Sequence, residues 1–226
     1  MNWERALKKL FLTENYLYRL FAIIVILILL GVALRNWFEY QALKEEMSHT
    51  AYHEAKSLHE YFNSVRRVFH EQFIKSGIEL NHDTVGFLPA HAASLISDDF
   101  QRHTSQGMLV RNVSDRNRNA NNAPHPYERD AIEYFREHKN ATELFYEMPK
   151  HQGNGYFYAA PLKIEAYCLM CHGKREDAPA FIRETYSTGY DYELGDVRGI
   201  TSITVEKKHL LVLMNERYKY RMIFSS

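Results

Sequence analysis

Apolar positions along the chain follow three different periods, and each predicts a different kind of element. Residues 20–34 (LFAIIVILILLGVAL) are all apolar or glycine, with Arg19 and Arg35 at the ends and Tyr16, Tyr18, Trp37, Phe38 and Tyr40 beyond them. This predicts one membrane-spanning helix over 16–38, preceded by an N-terminal segment, 1–15. The strictly apolar part is short of the roughly 20 residues a bilayer needs, but arginines snorkel and aromatics suit both interfaces. A cleaved signal peptide requires a small-residue cleavage site, which V-A-L-R-N-W-F does not supply. After the span, Leu43, Met47, Ala51, Ala55, Leu58, Phe62, Val65, Phe69 and Phe73 recur every three or four residues. They form one face of a long membrane-proximal helix over 39–80. That stripe can pack on the chain's own domain or on its copy in a homodimer.

The remaining pattern mixes the two periods. Residues 81–89 (NHDTVGFLP) break the helix, and 90–103 resume it with Ala93, Leu95, Ile96 and Phe100. A strand is predicted at 108–113, an asparagine- and proline-rich loop at 116–126, and a helix at 127–138 with Tyr127, Ala131, Ile132 and Phe135 on one side. Two strands follow, 143–148 and 156–164, joined by the turn-forming H-Q-G-N-G. A last strand places Val197, Thr201, Ile203 and Val205 on one face by period two. Helices first, then an antiparallel sheet with helical excursions, make the fold class α+β. Residues 207–226 carry Leu210, Leu211, Val212, Leu213 and Met214 and then Arg217, Lys219 and Arg221, a helical segment too short and charged to span a bilayer. The expectation is either a single anchor or a fragment of a larger receptor.

Charge adds an orientation and removes a partner. Lys plus Arg number 28, as do Asp plus Glu, so no bulk positive field favours nucleic acid. Arg5, Lys8, Lys9 and Arg19 precede the span, which favours a cytoplasmic N-terminus and an exported remainder, against a weaker opposing signal from Arg35 and Lys44. The sixteen tyrosines and thirteen phenylalanines would suit a domain that walls off a large, flat apolar group. Four histidines, His49, His53, His59 and His70, lie on the long helix; His49 and His53 are one turn apart, but a solvated helix face accounts for them, with no third metal ligand in view.

Both cysteines of the 226-residue chain lie in one motif, C-L-M-C-H, at Cys168, Cys171 and His172. No pair is left for a structural disulfide framework. Two thiols two residues apart, followed at once by histidine, match covalent attachment of a single haem c: the sulfurs reach the two vinyl groups and the histidine falls beneath the iron as proximal ligand. The rivals are a zinc half-site, which lacks a second pair of ligands, and a thioredoxin-like dithiol, which belongs in a βαβ unit. In bacteria such haem is attached on the outer side of the inner membrane, in agreement with the orientation read from charge.

Further motifs carry a resemblance. V-S-D-R-N-R-N-A-N-N-A-P (113–124) is similar to S-x-x-x-R-N-P-x-N-x-P, and Y-x-x-P-L-x-x-x-x-x-C-L-x-C-H-G (158–173) and G-Y-x-x-x-x-G-D-V-R-G (189–199) complete the set. Over about 85–205 the chain resembles the membrane-attached c-type haem sensor family with a PAS-like fold, found in bacteria alone and in front of diguanylate cyclase, kinase or chemotaxis modules. The departure is Ala120, where that family usually has proline. The resemblance implies a PAS-like sensor domain over 81–206. It also implies a variable sixth iron ligand some twenty residues before the R-N motif, which makes His91 the candidate distal ligand beside His172. Met108 and Met148 are thioether alternatives, and Met170, inside the attachment motif, is a poor one. Arg118, Asn119 and Arg198 have two readings each, hydrogen bonds that hold the domain or contacts to haem propionates.

The resulting expectation is a periplasmic or otherwise extracytoplasmic haem sensor that responds to redox state or a small gas and relays it to a signalling output partner. An anchored mono-haem cytochrome serving an electron-transfer partner is the alternative. Catalysis at haem is not expected, because no distal acid/base pair is recognisable.

Overall fold

The computed structural model describes residues 3–103 and 107–224, and the side-chain surroundings of 16–103 and 107–215. The side chains of Arg5, Lys8, Lys9, Arg217, Lys219 and Arg221, used above for charge, lie outside that range. Residues 1–46 form one compact unit and 47–226 another. The apolar run and the stripe after it belong to one helix, α1 (Trp3–Ser76). Residues 20–34 are exposed throughout, in a helix long and apolar enough to cross a membrane. In the second unit the same helix changes character: Met47, Ala51, Ala55 and Phe62 are buried. Gly77, at φ +63°, follows its end, the left-handed conformation that glycine adopts most cheaply at a helix C-terminus.

After α1 come α2 (Pro89–His103), β1 (Met108–Val113), α3 (Pro126–Glu137), β2 (Leu144–Glu147) and β3 (Gly155–Lys163). Then follow α4 (Leu169–His172), α5 (Ala180–Thr185), β4 (Val197–Glu206) and α6 (Lys207–Phe224). The four strands make one antiparallel sheet in the order β1-β4-β3-β2, so the last strand inserts between the first and the third. This is the expected α+β, PAS-like architecture.

Both faces of the sheet are covered, which explains why β3 is buried from Gly155 to Ala160 without interruption. Successive side chains point to opposite faces. Phe157 and Ala159 pack with Val113, Ile200, Ala131, Ile132 and Phe135 under α3. Tyr158 turns the other way, to α1, with its ring centroid 6.3 Å from Tyr52 and 5.6 Å from His59. The apolar stripe of α1 is therefore spent on the chain's own sheet between Met47 and Phe62.

Two details depart from the periodicity. Val197 packs in the α3-side cluster with Ile200, not on the face of Ile203 and Val205. The register shifts between Leu162 and Lys163, which pair with Gly199 and Val197. Arg198 is thus an extra residue, a β-bulge that reverses the alternation. Gly199 is required beside it: a Cβ there would stand 2.1 Å from the carbonyl oxygen of Val113. In α2, Leu95 points outward and the buried positions are Ala92, Ala93, Ser94 and Ser97, because small residues let the helix approach β1 closely.

Two carboxylates tie the layers together. Glu128, fully buried, accepts from the His125 backbone N–H at 2.8 Å and from Arg111 Nη1 at 2.6 Å, closing a capping box at the start of α3. Glu143 links α1 to the sheet, accepting from Tyr52 Oη at 2.6 Å and Tyr158 Oη at 3.1 Å, with Lys56 Nζ 3.1 Å away. Burial alone would raise the Glu143 carboxyl, but the hydrogen bonds from Tyr52, Lys56 and Tyr158 outweigh it and hold the group below its ordinary range. A depressed folded pKa stabilises the fold fully above the unfolded value near 4.5 and loses that contribution as pH falls through the lower folded value. Glu143→Gln should therefore cost roughly 1–3 kcal/mol at neutral pH. In equilibrium unfolding followed against pH, the difference from wild type should shrink below about pH 4 as the wild-type carboxylate protonates.

Candidate functional site

The C-L-M-C-H motif is helical throughout. A 3-10 turn, Ala166–Cys168, runs directly into α4, and the backbone N–H of Gly173 closes the end on the Leu169 carbonyl at 2.8 Å. Residues three apart on a helix share a face, so Cys168 and Cys171 are neighbours. Both are free thiols, each partly buried. Burial pushes the Cys171 thiol up, against the opposing pull of the Arg118 charge.

His172 is oriented by the main chain. Its Nδ1 lies 2.7 Å from the carbonyl oxygen of Gly189, and a carbonyl can only accept, so Nδ1 carries the proton and Nε2 keeps its lone pair. Burial, with the nearby Arg118 charge adding to it, lowers the imidazole to about 4, so the ring is neutral at neutral pH, the form that binds metal. Gly189 is itself constrained. Its φ is +76°, and a Cβ there would meet Arg118 Nε at 3.0 Å.

Arg118 fastens the same segment. It donates to the carbonyls of Thr188 (Nε, 2.9 Å), Cys171 (Nη2, 2.7 Å) and Gly189 (Nη2, 3.0 Å), and lies 4.6 Å from the Tyr190 ring centroid and 5.2 Å from that of Tyr186. Arg116 donates to the Tyr190 carbonyl and covers the Tyr192 ring at 4.2 Å. Asn119 caps the 3-10 turn Ala120–Asn122 by accepting from the Asn121 N–H at 3.0 Å. Of the two readings of Arg118 and Asn119, the hydrogen bonds carry the structural one.

These groups surround one cavity of about 190 Å³, against the roughly 10–15 Å³ that a single water needs by this measure. It is therefore a site for a sizeable molecule and not a packing defect. Cys168, Cys171, His172 and His91 all line it. Met148 is buried in the α3-side core instead, and neither it nor Met108 is among the lining residues, which leaves the thioether alternatives without support; Met170 is at the rim, 45% exposed. The walls also hold Arg66, which the hydrophobic pattern does not single out, and His70, one of the histidines read above as lying on a solvated face of the long helix. His70 stacks on Tyr167 with centroids 4.0 Å apart. Among the described residues, four arginines line the cavity, Arg66, Arg116, Arg118 and Arg198, and no aspartate or glutamate does.

The rival chemistries lose their settings. Among the described residues no three His, Cys, Asp or Glu side chains gather as a metal-binding group. His49 and His53 stand with Nε2 atoms 3.0 Å apart on an exposed face. The strand before the motif belongs to a wholly antiparallel sheet, so the βαβ setting of a thioredoxin-like pair is absent from the described residues.

An antiparallel PAS-like sheet with one cavity between its bulged strand, α2, α4 and α1 defines the class as a ligand-holding α+β domain. The chain belongs to the Tll0287-like family, whose model matches residues 44–206. Among solved structures, the crystal structure of the cyanobacterial heme-protein Tll0287 matches with a TM-score of 0.55 at 23% identity, over 68% of this chain and 93% of that one. Its likeness supports the fold. No curated protein matches the chain.

Arg118→Lys removes the fork that reaches three carbonyls and leaves one ammonium, which cannot replace it. We expect a loss of roughly 1–3 kcal/mol in denaturant unfolding, with faster amide exchange at residues 188–190.

Proposed function

We propose that the chain is a membrane-anchored haem sensor whose single haem c is bound covalently through Cys168 and Cys171, with His172 as proximal iron ligand and His91 as distal ligand. The observation that carries this is that Cys168, Cys171 and His172 all line one cavity, with His172 Nδ1 held by the Gly189 carbonyl so that Nε2 keeps its lone pair. A hydrogen bond from the far ring nitrogen to a backbone carbonyl is the usual means of fixing a metal-ligating imidazole. The family's heme-protein member supports the choice of cofactor. The cavity also fits the group chemically: apolar residues such as Phe73, Leu88 and Leu162 suit a flat ring, and uncompensated arginines suit its carboxylates.

When bound, the haem iron supplies a redox-active centre with an exchangeable sixth position. The chain's residues do the rest. His172 holds the proximal position, the thiols anchor the ring, and His91, at the start of α2, offers a ligand whose release would free that helix end. The anchor and the basic residues before it support an inner-membrane location with the N-terminus in the cytoplasm and the sensor domain in the periplasm. A second copy of the chain would meet the exposed Tyr61, Val68 and Ile74 of α1, since the buried stripe is already occupied. Relay of redox state or gas binding to an output partner requires the two iron states to differ in their contacts with α2 or α1. The alternative, an electron-transfer cytochrome, needs no such difference.

The test is absorption and resonance Raman spectroscopy of the full chain made with haem-attachment machinery, beside Cys168→Ala/Cys171→Ala, His91→Ala and His70→Ala. Covalent haem should be lost in the double cysteine variant, and His91→Ala should convert a six-coordinate ferric spectrum to a five-coordinate or water-bound one. An unchanged His91→Ala spectrum would remove the distal assignment, and a change in His70→Ala alone would move it to the long helix.

A further inference from the structure

Resting on the haem reading above, we propose that Arg66 of α1 and Arg198 of the β4 bulge together bind the two propionate carboxylates, so that the helix carrying the membrane segment is ion-paired directly to the cofactor. The two arginines differ from the other pair in the cavity. Arg116 and Arg118 are engaged with backbone carbonyls and stacked on tyrosine rings. Arg66 is not satisfied in that way. Its Nε is buried without a hydrogen-bond partner among the described residues, and its Nη2 stands 3.8 Å from Glu165 Oε1, beyond hydrogen-bond range. The Arg66 side chain is 14% exposed and that of Glu165 51%, so the wetter partner is a weak counter-charge.

Arg198 is placed by the bulge. The extra residue at this point breaks the inward-outward alternation of β4 and brings the guanidinium to the cavity. Burial disfavours its charge, and Arg66 is close enough to disfavour it further. Two cations that repel one another in a desolvated cavity are expensive unless an anion joins them. Among the described residues no acidic side chain lines the cavity. A ligand with two carboxylates along one edge supplies the missing charge at both guanidiniums, each able to take a carboxylate in fork geometry. The arrangement explains why an arginine occupies a helix position that would otherwise carry an apolar or solvated residue.

The experiment is spectroelectrochemistry and resonance Raman of the haem-loaded full chain with Arg66→Gln, Arg66→Lys, Arg198→Gln and the double glutamine variant. A cation near the propionates disfavours the oxidised iron, so each glutamine variant should lower the midpoint potential and shift the propionate-bending bands, and the double variant should do both more strongly. Arg66→Lys should keep the potential near wild type, since it retains the charge, while still shifting those bands through loss of the fork. Haem-loaded variants with wild-type potential and bands would overturn the clamp while leaving the haem assignment intact. A wild-type chain that carries no haem after production with the attachment machinery would instead overturn the haem assignment, and the clamp with it. Should a glutamine variant fail to fold, the lysine variant alone decides: unshifted propionate bands count against Arg66.

Discussion

The carbonyl oxygen of Gly189 accepts from His172 Nδ1 at 2.7 Å and from Arg118 Nη2 at 3.0 Å, and the geometry of the cavity depends on that shared acceptor. Its two lone pairs hold the imidazole in one tautomer and bind the guanidinium that also grips Cys171. The left-handed turn that presents this oxygen needs a residue without a Cβ. The turn, the tautomer and the thiol-bearing helix are consequently one unit. A change at any of the three propagates to the others without a long pathway.

Much of this was legible in the sequence, for identifiable reasons. The α3 stripe Ala131, Ile132 and Phe135 and the last strand around Ile203 have clear periods, and turn residues set off the strand around Phe157, so the sheet and its class could be read directly. The C-L-M-C-H spacing is local, and so are its consequences. Val197 was misassigned because a β-bulge leaves no mark on composition; a single extra residue, Arg198, reverses the parity of everything before it. Leu95 was misassigned because α2 meets β1 through small residues, Ala93 and Ser97, which carry little weight in a hydrophobic pattern. Arg66 and His70 sit on the flank of the α1 stripe, where periodicity predicts solvent. Only the tertiary fold turns that flank into a cavity wall.

The charge balance illustrates the same limit. Twenty-eight cations match twenty-eight carboxylates over the whole chain, and nothing in that total reveals arginines 66, 116, 118 and 198 converging on one cavity whose lining, among the described residues, holds no aspartate or glutamate. Elsewhere buried charge is matched within the protein, as in Glu128 with Arg111 or Glu143 with Tyr52, Lys56 and Tyr158. Glu128 keeps its Arg111 partner although its own Oε1 lacks a hydrogen bond, whereas Arg66 Nε, also without a hydrogen-bond partner among the described residues, faces a cavity, where a negative charge from outside would suit it.

That organisation bears on the choice between sensing and electron transfer. An electron carrier needs a cavity that holds its cofactor alike in both oxidation states; a sensor needs contacts whose strength differs between them. Here the walls come from elements with different attachments. His172 and the thiols sit on a turn fixed by backbone hydrogen bonds, His91 sits at the first turn of α2, and Arg66, His70 and Phe73 belong to the helix that also contains the apolar segment. The wall that carries His172 and the thiols is held by backbone hydrogen bonds, and the other walls come from α2 and α1, a division that would suit a two-state device. A change at the sixth position of a bound iron would act on α2 first, and a change in charge at the ring edge would act on α1 through Arg66. On the haem reading proposed above, those two events would act on different helices, and only the second on the helix that also contains the apolar segment.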